Sequence, residues 1–311
     1  MSRTRLLGSA RSFVTDGGLE TDLIFHHGVE LPDFAAFPLL DDAAGRQLLR
    51  DYYQGYARVA ESAGAGLLLE TPTWRANADW GGRLGYDAAA LDRVNRDAIA
   101  FLRALADEWR DRVVQTLVVG MIGPRGDGYR STRIGADEAA GYHLPQVRSL
   151  AAGGADLVAA YTLTSVAEAI GLTLAADQVG VDVGISFTVD TDGRLPDGTT
   201  LAAAIEAVDR ECRPAHYGIN CAHPIHIAGA LAEPGAWRER VAVIRVNASR
   251  LSHAELDACE QLDDGVPDEL ATELAGLRRS LSGLRVIGGC CGTDVRHVAA
   301  MWGVSAQLAT T

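Results

Sequence analysis

The residues with the clearest chemical potential in this 311-residue chain are three of its five cysteines, Cys221, Cys290 and Cys291. Cys290 and Cys291 are adjacent and sit among Gly288, Gly289 and Gly292. Neighbouring side chains of an extended strand point to opposite faces, so the pair can converge on one ion only where the backbone turns sharply. Glycine permits such a turn because it reaches positive φ without steric cost. The two Cα atoms can lie only ~3.8 Å apart, short of the usual disulfide span, and an odd count leaves at least one thiol outside any intrachain disulfide. Three thiolates with one open position form a catalytic rather than a closed structural zinc pattern. So many thiolates make Zn²⁺ a poor Lewis acid, whereas hydrolytic sites keep neutral His ligands to acidify bound water. The fourth position is therefore expected to take a substrate sulfur, held as a nucleophilic thiolate, and the reaction to be alkyl transfer to it.

Other uses of these residues are weaker. A glycine-rich loop can hold phosphate and a buried Cys can be a small hydrophobe, but neither accounts for two adjacent Cys with a third at another strand end. Cys221, His223 and His226 form a local set, yet Pro224 and a helix starting near Ile225 place the two His on different sides. Cys212, on a helix over Leu201–Cys212, and Cys259 read as ordinary packing residues, and His26-His27 as a solvated loop. A zinc hydrolase and a non-catalytic zinc or thiol-binding barrel stay as lesser alternatives, the first needing no methyl donor and the second giving no turnover.

The elements that must position these groups are short apolar, β-branched runs at Phe13–Thr15, Leu67–Leu69, Val113–Val119, Leu157–Ala160, Val183–Phe187, His216–Ile219, Val241–Val246 and Arg285–Ile287. They read as strands buried on both faces. Amphipathic stretches with helical spacing lie between most of them, Gln47–Ala63, Ala88–Trp109 and Ala136–Ala152 among them. Some eight strand–helix units predict an α/β fold, a (β/α)8 TIM barrel, whose active face gathers the carboxyl ends of the strands. A doubly wound open sheet is the alternative, but Asp16-Gly17-Gly18 is not the dinucleotide fingerprint it would need. With no linker or composition shift, residues 1–311 are expected to be a single domain, interrupted by irregular segments at His26–Asp42 and Ala248–Asp268.

Composition narrows the function. A net charge of −13 argues against nucleic acid and anionic membrane surfaces as partners. The chain contains no lysine, which excludes Schiff-base aldolases, pyridoxal enzymes and P-loop NTPases. Its N-terminal stretch carries Arg3, Arg5 and Arg11 without an apolar targeting core, so a reducing, cytoplasmic setting is expected.

With these residues in view, the sequence resembles the homocysteine S-methyltransferase family, shared with betaine–homocysteine methyltransferase and the homocysteine module of methionine synthase. The resemblance runs from Asp16 to Met301. Its anchors are Asp16-Gly17-Gly18 with Thr21, Ile122-Gly123-Pro124, Ser186-Phe187-Thr188, Asp192-Gly193-Arg194 with Asp197-Gly198, Gly218-Ile219-Asn220-Cys221, and Gly288-Gly289-Cys290-Cys291-Gly292-Thr293. It implies a zinc-dependent barrel that methylates a thiol, most directly homocysteine to methionine. Cys221, Cys290 and Cys291 would be the zinc ligands, and Asp16, Gly17 and Gly18 would receive the amino-acid end.

Three departures concern the substrate. After strand four the family's Glu-Thr pair, whose carboxylate holds the acceptor ammonium, reads Tyr161-Thr162. After strand two, Thr71-Pro72-Thr73-Trp74 follows Glu70, and after strand seven the turn reads Val246-Asn247-Ala248-Ser249. Glu70 is expected either to take over the ammonium or to pair with Arg75 or another arginine. Thr73, Trp74, Tyr161 and Asn247 complete the expected substrate site. A sulfonium donor, S-methylmethionine or S-adenosylmethionine, suits one barrel, with Trp74, Trp80 and Tyr161 as aromatic walls. Another thiol or selenol acceptor, or a separate corrinoid protein as donor, is the alternative. The oligomeric state is left open.

Overall fold

Eight strands close into a parallel barrel in which each strand pairs with the next in sequence and the last returns to the first. The computed structural model describes residues 6, 9–130, 133–259 and 261–307. Arg3 and Arg5, and the two ends of the expected 1–311 domain, lie outside them. The strands are β1 Phe13–Val14, β2 Gly66–Glu70, β3 Thr116–Ile122, β4 Leu157–Leu163, β5 Val183–Phe187, β6 His216–Ala222, β7 Val241–Val246 and β8 Val286–Gly289. This is the (β/α)8 barrel read from the apolar runs. The third strand starts later than its run because Val113 closes a turn on Trp109 after the preceding helix, with Val113 N donating to Trp109 O.

The helices between them are α1 Leu19–Phe25, α2 Ala43–Ala63, α3 Ala78–Arg83, α4 Ala88–Glu108, α5 Ala136–Ala152 and α6 Val166–Val179. They continue as α7 Leu201–Glu211, α8 Pro224–Ala230, α9 His253–Asp257, α10 Pro267–Arg278 and α11 Val295–Met301. Their limits are set by local chemistry. Asp42, Asp87, Ser165 and Thr200 each cap a helix by accepting a first-turn backbone N–H. The segment expected to be irregular before the last helices contains α9, started by a capping box in which Ser252 and Glu255 satisfy each other's backbone N–H. Among the described residues no helix is long and apolar enough to cross a membrane.

The barrel interior is filled rather than hollow. Phe13, Leu68, Leu117, Val119, Ala159 and Val243 belong to one apolar cluster, with Leu6 joining it. Side chains on one face recur every second residue. The next inward positions after Phe13, Leu68, Ala159 and Val243 are Thr15, Glu70, Tyr161 and Arg245, and all four are buried. A polar layer thus rests directly on the apolar plug, at the carboxyl ends of the strands.

Candidate metal centre and substrate cavity

Cys221, Cys290 and Cys291 bring their sulfurs within 4.8 Å of one another. Cys221 Sγ lies 2.7 Å from Cys290 Sγ and 3.5 Å from Cys291 Sγ. Two local distortions produce this. On β6 the pairing with β7 skips Cys221, since Asn220 opposes Arg245 and Ala222 opposes Val246. This bulge re-aims the side chain, and Cys221 takes φ 55, a left-handed conformation unusual outside glycine. His253 Nε2 (2.7 Å) and Thr188 Oγ1 (3.2 Å) donate to the Cys221 carbonyl and hold the bulge. Past β8 the chain turns so that Thr293 N donates to Cys290 O, with Gly292 at φ 77 in the third position. That turn, expected from the glycines, puts both adjacent thiols on one side.

The donor set fits zinc. Tetrahedral Zn–S bonds of about 2.3 Å would set sulfurs roughly 3.8 Å apart, near the 3.5 Å between Cys221 and Cys291 and wider than the 2.7 Å between Cys221 and Cys290. Cys290 is held well below the usual thiol range by S–H donation from Cys221 and then Cys291, against its burial, with Arg245 adding to the effect. Tyr129 lies over the cluster, its hydroxyl 3.2 Å from Cys221 Sγ and 3.5 Å from Cys291 Sγ, and its ring stacks on His253 at 4.1 Å. His223 and His226 do not join. His223 caps α8 and faces Glu273 at 3.4 Å. Separately, His26 bonds Asp22 at 2.8 Å beside Asp294.

Two cavities meet at Cys291, and Cys290 lines the narrower of them. The narrower, about 60 Å³, is lined by Asp16, Gly17, Gly18, Glu70, Trp74 and Tyr161, all expected at the site, and also by Glu20, Asn220 and Arg245. The wider, about 360 Å³, is lined by Phe25, Phe34, Asp127, His253 and Asp263. Trp74, Tyr129 and Cys291 border both. Thr73 and Asn247 line neither. Thr73 Oγ1 donates to Met121 O (2.7 Å), joining the ends of β2 and β3, and Asn247 N donates to Ala222 O (3.1 Å).

Arg245, which sequence reasoning missed, organises the floor of the narrow cavity. Its Nη2 donates to Asp16 Oδ1 (2.5 Å) and Gly17 O (2.9 Å), its Nε to Gly289 O (2.9 Å), and its Nη1 to Glu70 Oε2. Glu70 also accepts from Thr15 Oγ1 (2.9 Å) and, on its other oxygen, from the Tyr161 hydroxyl. The arginine pairing of Glu70 is therefore with Arg245, and both its oxygens are engaged. Arg75 instead stacks 3.6 Å over Trp80 and 4.6 Å over Trp74, while Arg245 lies 5.2 Å over Tyr161. Each ring expected to face a cationic donor thus already carries an arginine on one face. Burial raises the Asp16 carboxyl to about 7, with Arg245 opposing and Glu70 and Glu20 adding to the rise. Tyr129 and Glu20 carried no motif signal of their own. A lone Arg in the run Val241–Val246 did, as a charge at an inward strand position.

Gly18 ties the first-strand turn to the metal turn. A Cβ there would fall 2.5 Å from the Cys290 carbonyl oxygen and 2.5 Å from Thr21 Oγ1. Gly18→Ala is expected to cost ~1–3 kcal/mol through overpacking against backbone. Urea denaturation should show it as a lower midpoint with an unchanged slope.

Comparison with known proteins agrees with this fold. The family model described as homocysteine S-methyltransferase matches residues 13–303. The homocysteine S-methyltransferase of Escherichia coli K12 is 27% identical over 95% of this chain and 96% of its own length. The methionine synthase of Mycobacterium tuberculosis H37Rv is 27% identical over 93% of this chain, which spans 24% of that protein. Among solved structures, the metallated form of the Escherichia coli homocysteine methyltransferase MmuM superposes with a TM-score of 0.74 at 23% identity, covering 96% of this chain and 98% of that one, a likeness of fold.

Proposed function

The chain belongs to the homocysteine S-methyltransferase family, and from that premise we propose that it moves a methyl group from a sulfonium donor, of the S-methylmethionine or S-adenosylmethionine type, to the thiolate of homocysteine, giving methionine. The observation that carries this reading is a cluster of three converging thiols, one of which, Cys291, borders both cavities. An acceptor in the narrow cavity and a donor in the wide one would meet at Cys291. Zinc held by Cys221, Cys290 and Cys291 would supply an acceptor sulfur that is deprotonated yet nucleophilic.

The protein's own groups do the rest. The acceptor thiol gives up its proton to solvent, its sulfur forms a bond to the methyl carbon, and the donor's carbon–sulfur bond breaks with the electron pair left on a neutral thioether. Holding the two partners in line removes much of the entropic barrier. The turn at Asp16, Gly17 and Gly18 would position the amino-acid end, with Glu70 and Tyr161 fixing Arg245 beneath it. Asp127 and Asp263 outnumber Arg75 on the wall of the wide cavity, and Phe25, Phe34, Trp74 and Tyr129 give it an aromatic lining, which favours a cationic donor. Residues 1–311 act as one catalytic unit in this reading. A cytoplasmic setting would keep the three thiols reduced.

The test is a mass-spectrometric methyl-transfer assay on reduced, zinc-loaded protein, with homocysteine and each sulfonium donor separately. Methionine from one donor supports the reading and identifies that donor. No methionine from protein that still holds zinc would overturn the homocysteine–sulfonium pairing.

A further inference from the structure

Three carboxylates, Asp16, Glu20 and Glu70, face the narrow cavity together with one guanidinium, Arg245. Two of the three are paired, since Arg245 bonds both Asp16 and Glu70. Glu20 is different. It projects from the first turn of α1, and among the described residues its carboxylate has no ion-pair partner. Burial pushes its carboxyl up to about 7 against the pull of its own backbone N–H. The Cys290 thiol adds to the rise, while Arg245 and Arg75 oppose it. A half-buried acid on the cavity wall without an ion-pair partner gains from any cation that enters. A cavity of only about 60 Å³ admits a small one, such as a primary ammonium on a short chain.

We propose that Glu20 determines acceptor specificity by pairing with the α-ammonium of an amino-acid thiol whose sulfur lies at Cys221, Cys290 and Cys291. The inference rests on the thiol-acceptor reading above. It also explains how the cavity recognises an amino acid although both oxygens of Glu70 are engaged by Arg245, Thr15 and Tyr161.

The test is calorimetric binding to the zinc-loaded, reduced full chain of homocysteine and of 4-sulfanylbutanoate, which keeps the sulfur, chain and carboxylate but lacks the ammonium. Wild type should prefer homocysteine by at least ~10-fold, the range of one charge-assisted contact. Glu20→Gln should erase that preference, weakening homocysteine by at least ~10-fold and leaving 4-sulfanylbutanoate within about twofold. Its zinc content should not change, and Glu20→Asp should restore part of the preference. Glu20→Gln that binds homocysteine as wild type does, or that loses both thiols alike, overturns the role of Glu20 while the acceptor reading stands. A wild type that holds zinc and binds neither thiol overturns both.

Discussion

Replacing Arg245 by methionine is expected to destabilise the protein by ~3–5 kcal/mol, the cost of removing one partner from a buried ionic cluster. The side chain is 5% exposed and its guanidinium donates to Asp16, Glu70, Gly17 O and Gly289 O. Methionine fills most of the volume but leaves two buried carboxylates facing each other and two carbonyls without their donor. The sign of the pH dependence follows from Asp16. Its folded carboxyl is raised to about 7 with Arg245 present, and Arg245 is what opposes a further rise. In the variant the acid therefore takes up its proton at still higher pH, and the folded state binds more protons than the unfolded one at neutrality. The loss should be largest well above pH 7, shrink as pH falls to about 7, and level off below it, where Asp16 is protonated in both folded proteins. Denaturant titrations of wild type and variant at several pH values measure it, and Asp16→Asn with Glu70→Gln in the Arg245→Met background should recover part of the stability. A loss below about 1 kcal/mol, independent of pH, would mean that the cluster is hydrated and that Arg245 does not organise the cavity floor.

The barrel is legible because its strands obey one simple rule. Runs such as Val183–Phe187 and Val241–Val246 are predominantly apolar, Arg245 aside, and they are the observed strands β5 and β7 residue for residue. The metal centre is legible because Cys290 and Cys291 are adjacent among glycines, a local signal. The floor of the cavity is not local. Arg245 meets Asp16 across 229 residues and Glu70 across 175, and no spacing rule spans such distances. The bulge at Cys221 is hidden for another reason. It depends on which residues of β7 oppose β6, and register is a property of two strands together. Tyr161 shows the limit most clearly. The sequence says that a carboxylate is missing from the end of strand four, but only the fold shows that the Tyr161 hydroxyl instead holds Glu70, and that Glu20 brings a third carboxylate to the same cavity.

Cys290→Ser is expected to abolish metal retention and turnover together, weakening zinc by roughly 10²–10⁴-fold if the three ligands share a total of ~10–16 kcal/mol equally. The geometry gives Cys290 this weight. Its sulfur is the one in closest contact with Cys221, and its carbonyl anchors the turn through Thr293 N and Thr293 Oγ1 (2.7 Å). Serine keeps those backbone bonds, so the barrel should fold, but its alkoxide is not accessible near neutral pH. Only two sulfurs then remain for the ion. Cys212→Ser is the control. That residue ends α7, with Sγ near Ile170 O at 3.9 Å, and lines neither cavity. It should keep a full complement of zinc and wild-type rate. Metal analysis after dialysis, read beside methyl transfer and a thermal melt, separates the outcomes. A Cys290→Ser protein that folds, holds one zinc per chain and still turns over would place the metal centre elsewhere. Loss of zinc with the fold retained would tie the chemistry to the three sulfurs that the bulge on β6 and the turn after β8 bring together.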